Sequence, residues 1–213
     1  MNTVTIEYFG HSCFRLSYAG QRIVLDPYAD GSVPGLPPLR AEAEFVYCSH
    51  DHSDHNAAKC VKLLPHGAQA FTVTELLTDH DEAGGTKRGK NIIRVFDLGG
   101  ARVAHFGDLG RALTPEETKA LSDLDLVMIP VGGFFTIDAA AAQRILAQIR
   151  PRVTVLMHYR TDKTGYEVIS HLDDIVRAMG DVLFVGDTLE LTQDTPPQTV
   201  IMSIKDNETD EGA

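Results

Sequence analysis

The stretch "SHDHSDHN" at residues 49–56 limits this chain more than any other feature. Three histidines and two aspartates occupy the six positions from His50 to His55. A solvated loop needs only polarity, which Ser, Asn, Lys or Glu would provide. Clustered imidazoles repel one another when protonated and gain little from each other when neutral. A metal ion reverses that balance, because imidazole nitrogen and carboxylate oxygen are ordinary ligands of zinc and its neighbours. The apolar run "AEFVYCS" before the cluster reads as a compact strand that delivers the chain to His50. Alternate side chains of an extended segment share a face, so His50 and His52 can hold one ion together. The chain then turns at Asn56 into "NAAKCVKLL", read as a short helix closed by Pro65 and Gly67. Asp54 and His55 point from that turn towards a second ion, and the positive helix end favours an anionic Asp54.

Four residues cannot fill two coordination shells. His158 ends the apolar strand "RVTVLMH", and Asp108 follows "VAHFG" at a strand end, where sites are commonly built. His80, in the loop "LTDHDEAGG", and His105 compete for the last place. His105 stands three residues before Asp108 and would point to the opposite face of an extended strand, which favours His80. His171 reads as an ordinary residue of the helix "YEVISHLDDIVRAMG", and His66 as an exposed turn residue. His11 in "GHSCF" has two readings: a structural histidine that bonds backbone, or a residue that orients a ligand or touches substrate. Gly132 and Gly133 in "PVGGFFTID" mark either a tight turn or a close approach to substrate. "GGTKRGKN" places Lys87, Arg88 and Lys90 within four positions. Arg88 and Lys90 suit an anion grip, since Arg binds carboxylate or phosphate in a planar fork and Lys adds a point charge. A solvated basic loop is the competing account.

The remaining pattern is α/β. "TVTIEYFG", "CFRLSYAG", "QRIVLDP" and "AQAFTVT" read as strands, and residues 30–40 as an irregular loop. "NIIRVFDLGGARVAHFGD" reads as a hairpin turning at Gly99-Gly100. "TPEETKALSDL" carries a helix start, with Thr114 as N-cap, Pro115 first and Glu117 three residues after the cap. "DLVMIPV" is a buried strand, "DAAAAQRILAQIR" a strong helix, and "DVLFVG" and "TVIMSI" late strands. A sheet-rich core covered by helices is the natural packing. The expected organisation is a single domain over 1–213, with an acidic tail from about residue 205. Cys13, Cys48 and Cys60 are odd in number and form no C-x-x-C pair, so they read as small hydrophobes rather than a disulfide framework. No signal peptide or membrane span is apparent, so a cytoplasmic chain is expected. A net charge of −11 disfavours broad nucleic-acid binding. A small-molecule substrate and no membrane partner are expected, and a homo-oligomer is compatible with the composition.

Taken together, "YFGHSCF", "LDP", "SHDHSDH", "HFGD", "PVGG" and "MHYRT" resemble the metallo-β-lactamase fold hydrolases. More narrowly, they are similar to the bacterial branch that includes ascorbate-6-phosphate lactonase-like proteins. The resemblance spans about residues 5–191. It implies a four-layer αββα sandwich with a metal site along one edge. It also implies that His50, His52 and His80 bind the first ion, that Asp54, His55 and His158 bind the second, and that Asp108 bridges both. Two divalent ions are implied, zinc first, with manganese or iron as alternatives on the same donor set. Roughly 3.5–4 Å apart, such ions share and activate a water that attacks an ester, lactone or phosphodiester. Asp54 and Asp108 are the expected catalytic carboxylates. Related diiron redox proteins usually carry a carboxylate in place of His52 and a flavin domain, and neither is here. A non-catalytic metal-binding or interaction protein on the same fold is the alternative.

Overall fold

The computed structural model describes residues 3–205. The acidic tail beyond Lys205 lies outside the described residues. The chain runs as β1 (Val4–Gly10), β2 (Cys13–Tyr18), β3 (Gln21–Leu25), β4 (Ala41–Ala43), β5 (Phe45–Tyr47), β6 (Val61–Leu63), β7 (Thr72–Asp79), β8 (Lys90–Asp97), β9 (Arg102–His105), α1 (Pro115–Ala120), β10 (Leu126–Pro130), α2 (Ala139–Ile149), β11 (Val153–Met157), α3 (Leu172–Met179), β12 (Leu183–Val185), β13 (Thr188–Leu191) and β14 (Gln198–Met202). One sheet has the order β13-β1-β2-β3-β5, the other β12-β14-β11-β10-β9-β8-β7, and β4 pairs with β6 apart from both.

Period-2 alternation explains the layers. Ile6, Leu16 and Ile23 of the first sheet meet Phe96, Met128, Val155 and Met202 of the second in one buried cluster. The alternate residues Val127, Ile129 and Leu156 pack on Ala142, Ile145, Ile149 and Ile175 from α2 and α3. Strands β10 and β11 are therefore buried on both faces, as parallel strands covered on each side must be. The outer face of the first sheet is covered differently. Phe9, Cys13 and Val24 pack on Tyr28, Val33, Leu36 and Leu39, which belong to the irregular segment between β3 and β4. The α/β sandwich is present, with looped chain rather than an α-helix as its layer on that side.

Two helices differ from expectation. "NAAKCVKLL" forms only a 3-10 turn at Ala58–Cys60 and then β6, because Val61–Leu63 pair in parallel with Ala41–Ala43. Strand pairing here overrides a weak local helix preference. The last helix begins only at Leu172, because His171 is its N-cap and accepts from the Asp173 N–H. Cys48 and Cys60 are half-exposed, not buried; only Cys13 is, and all three thiols are free. The hairpin and the capping box of α1 form as read.

The topology brings the ends of β1, β3, β5, β9 and β11 to one edge of the sandwich. Backbone bonds lock the two sheets there: His158 N donates to His11 O at 3.0 Å and Ile92 N to Ser49 O at 3.0 Å. Gly107 lets the chain turn into Asp108 with φ +52, and a Cβ there would lie 2.3 Å from Asn91 Oδ1 and 2.4 Å from Ser49 Cβ. Gly107→Ala should therefore cost about 2–4 kcal/mol in urea denaturation, from backbone strain plus overpacking. Gly100→Ala, whose Cβ would meet nothing within 4 Å, should cost clearly less.

Candidate metal centre

Asp108 is the centre of the edge. Its Oδ2 lies 3.2 Å from His158 Nε2, 3.3 Å from His55 Nε2, 3.4 Å from His80 Nε2 and 3.9 Å from His50 Nε2. Donor atoms of His50, His52 and His80 lie within 4.8 Å of one another, and so do those of His11, Asp54, His55 and His158. Among the buried side-chain atoms without a hydrogen-bond partner are His50 Nε2, His55 Nε2, both ring nitrogens of His158 and Asp108 Oδ1. Buried polar atoms are normally partnered. Orphaned nitrogens gathered around one carboxylate therefore fit a divalent-metal site.

A further layer sets the tautomers. Asp26 Oδ2 accepts from His55 Nδ1 at 2.8 Å and from Ser49 Oγ at 2.5 Å, while its Oδ1 accepts from Ser49 N at 2.6 Å. The hydroxyl of Ser49 is thereby committed as a donor, so it accepts from His50 Nδ1 at 2.9 Å. Both imidazoles are left with a free Nε2 lone pair facing Asp108, the outer-layer logic of metal-binding histidines. Neither Asp26 nor Ser49 emerged from the sequence as a site residue. Their available signals were "LDP" at a strand end and the residue just before His50.

The electrostatics set His55 apart from the neighbouring histidines. Burial, then the charge of His55, pushes His50 down to about 3. Burial, then His158, pushes His11 down to about 4. Burial opposes the Asp108 carboxylate, yet His158 and His55 hold it well below the usual range. Burial likewise opposes Asp54, but the His11 hydrogen bond and the His55 charge hold it low. His55 is raised well above its ordinary value despite burial, by Asp108 and Asp26.

Hydrogen bonding sets His80 and His105 apart. His105 Nε2 donates to Ser12 O at 2.9 Å, and its Nδ1 accepts from Gly107 N at 3.2 Å. Neither nitrogen is free. His80 instead stands with ring centroids 4.7 Å from His50 and 5.2 Å from His52. The His11 side chain is 0% exposed, with its Nε2 3.2 Å from Asp54 Oδ2. Of its two readings, this contact is the one expected of a residue that orients a ligand. The Lys90 ammonium, the other member of the candidate grip, is held by Asp79 Oδ1 at 2.5 Å and Gly84 O at 3.1 Å. Gly132 serves close packing, since a Cβ there would lie 2.0 Å from His158 O.

The mouth is a cavity of ≈ 350 Å³, with His52, Asp54, His80 and Asp108 on its floor and Arg88, Phe135 and Tyr166 on its wall. Tyr166 Oη is within reach of Ser32 O at 2.7 Å and Asp54 Oδ2 at 3.2 Å. Residues 5–158 match the family model described as Beta-lactamase superfamily domain. The chain belongs to this family. A UPF0173 metal-dependent hydrolase of Thermofilum pendens is 26% identical over 192 residues, covering 73% of this chain and 83% of the relative. A UPF0173 metal-dependent hydrolase of Thermoplasma acidophilum is 26% identical over 194 residues, covering 76% and 85%. A crystal structure from Thermotoga maritima, described as that of a candidate Zn-dependent hydrolase of the metallo-beta-lactamase superfamily, is 30% identical. It has a TM-score of 0.72 and covers 93% of this chain and 98% of its own. None of these three carries the ascorbate-6-phosphate lactonase name, so the resemblance stands at the superfamily. Among the described residues no helix is long and apolar enough to cross a membrane.

Three substitutions probe this superfamily site. Asp26→Asn should weaken metal binding by about ten- to a hundredfold, read by chelator competition, because His55 loses its anionic anchor. His80→Ala should lower metal content, whereas His105→Ala should keep it and instead lose about 1–3 kcal/mol of folding stability from unpaired Ser12 O and Gly107 N.

Proposed function

We propose that this metal-dependent hydrolase of the metallo-β-lactamase superfamily uses a dinuclear centre to cleave an ester, lactone or phosphodiester bond in a small anionic substrate. His50, His52 and His80 would hold one ion, Asp54, His55 and His158 the other, and Asp108 would bridge them. The observation that carries the reading is the single Asp108 oxygen lying between imidazoles of both sets. Bound divalent ions, zinc first among the candidates, supply an activated water and polarise the scissile oxygen. Asp108 contributes a fixed negative charge at the centre, and Asp54 a second one that is already ordered by His11 and Tyr166. Tyr166 keeps its proton, because burial and then the Asp54 charge push its hydroxyl upward.

The anionic preference rests on Arg88. Its guanidinium lies 5.6 Å from the Phe135 ring and 5.8 Å from the Phe134 ring, and no carboxylate pairs with it among the described residues. It also lines an adjoining cavity of ≈ 470 Å³ together with Lys87, Phe134 and Arg144. A cation stacked on aromatic faces beside the floor of the mouth is pre-organised for a carboxylate or phosphate. Free Cys13, Cys48 and Cys60 are in keeping with a reducing, cytoplasmic setting.

Three measurements test this function. Metal analysis under saturating zinc or manganese should give close to two equivalents per chain, and saturation at one would defeat the bridged centre. Asp108→Asn should abolish hydrolysis of generic esters and phosphodiesters while the circular dichroism spectrum is retained. Arg88→Ala should lower kcat/KM for an anionic substrate by about tenfold or more, as loss of a charge-assisted bond implies. A neutral substrate should be nearly unaffected.

A further inference from the structure

His11 follows β1 with a left-handed backbone, φ 55, a conformation that strains a residue carrying a Cβ. Two contacts hold it there: its carbonyl accepts from His158 N at 3.0 Å and from Tyr8 Oη at 3.1 Å. The ring is thereby aimed into the interior, with centroids 4.1 Å from His158 and 5.2 Å from His55. A hydrogen bond to Asp54 by itself does not require crowding against two further imidazoles, which have nothing to offer one another without a shared cation.

The distances have the size of a coordination polyhedron. Ligands about 2.0–2.2 Å from one ion, at angles of ~90–109°, have donor–donor edges of roughly 3.0–3.5 Å. His11 Nε2 and Asp54 Oδ2 are 3.2 Å apart, the same separation as His158 Nε2 and Asp108 Oδ2. His55 Nε2 lies 3.6 Å from Asp54 Oδ2 and 3.3 Å from Asp108 Oδ2. One donor atom each from His11, Asp54, His55 and His158 falls within 4.8 Å of all the others.

We propose that His11 Nε2 is itself a ligand of the second divalent ion, an assignment that rests on the dinuclear reading above. The second site then holds three imidazoles and two carboxylates, counting the bridging Asp108. The first holds three imidazoles and that carboxylate. A five-donor nitrogen and oxygen shell suits an ion of octahedral habit, such as manganese or ferrous iron, better than four-coordinate zinc. The two sites would therefore differ in metal preference.

Cobalt(II) reconstitution of the full chain tests this, comparing wild type with His11→Ala and His11→Gln. Glutamine can still donate a hydrogen bond to Asp54 but brings no imidazole nitrogen. Wild type should take up two cobalt ions. Both variants should bind the first ion as wild type does, which also reports an intact fold. They should lose affinity for the second by at least about a hundredfold, beyond what loss of an outer partner costs, and its visible absorption should change. Unchanged affinity and spectrum in both variants would overturn the proposal. Recovery of the second site by glutamine but not alanine would overturn it as well, leaving His11 a positioning residue. Saturation of wild type at one cobalt would defeat the dinuclear reading separately; the His11 assignment would then stand or fall on whether His11→Ala alters the spectrum of that single ion.

Discussion

The Asp108 carboxylate is buried at 2% exposure with four imidazole nitrogens between 3.2 and 3.9 Å from one of its oxygens. Taking a carboxylate out of water costs several kcal/mol unless charge and hydrogen bonds replace the solvent. Here the Asp108 N–H is held by Asn91 Oδ1, and Asn91 Nδ2 is itself held by Thr78 Oγ1 and Phe106 O. The carboxylate is thus pinned from behind and faces only metal-ligand chemistry in front. The other features of the edge serve to bring donors to that point and to keep them from turning away.

Strand ends do this well because a sheet fixes their spacing. Three of the residues that leave strands at the edge, His11, Asp26 and His158, have left-handed backbones. Such conformations are costly for side chains other than glycine and persist where surrounding structure over-determines them. In each case the sharp exit lets the next atoms turn inward at once. The strain is offset by the two-face burial of the strands behind it, with β10 and β11 fully enclosed.

The wall of the mouth has a different physical character from its floor. Phe134, Phe135 and Tyr166 form a run of edge-to-face rings, with centroids 4.8 Å and 5.7 Å apart. Arg88 rests on the first two. Two nearby cations are otherwise engaged: Arg111 is shared between Asp79 and Glu117, and Lys90 is held by Asp79. On a chain of net charge −11, Arg88 is thus a local cation beside the site.

The residues themselves disclosed the metal chemistry, because H-x-H-x-D-H crowds donors within one turn and needs no partner chain segment to be read. They also disclosed Asp108 and His158 as strand-end candidates, the central hairpin, and the helix start at Thr114, all of which follow from local pattern and capping. Tertiary structure alone decided the rest. His80 rather than His105 faces the centre because both ring nitrogens of His105 are consumed by Ser12 O and Gly107 N, and Ser12 is 93 positions away in the chain. Lys90 meets Asp79 because the β7–β8 pairing sets the two opposite each other. Asp26 reached His55 only through the parallel pairing of Leu25 with Tyr47, a register that no local pattern encodes. A sequence reports which side chains can ligate. Which nitrogen remains free to do so depends on hydrogen bonds made across the fold, and those exist only once the strands have paired.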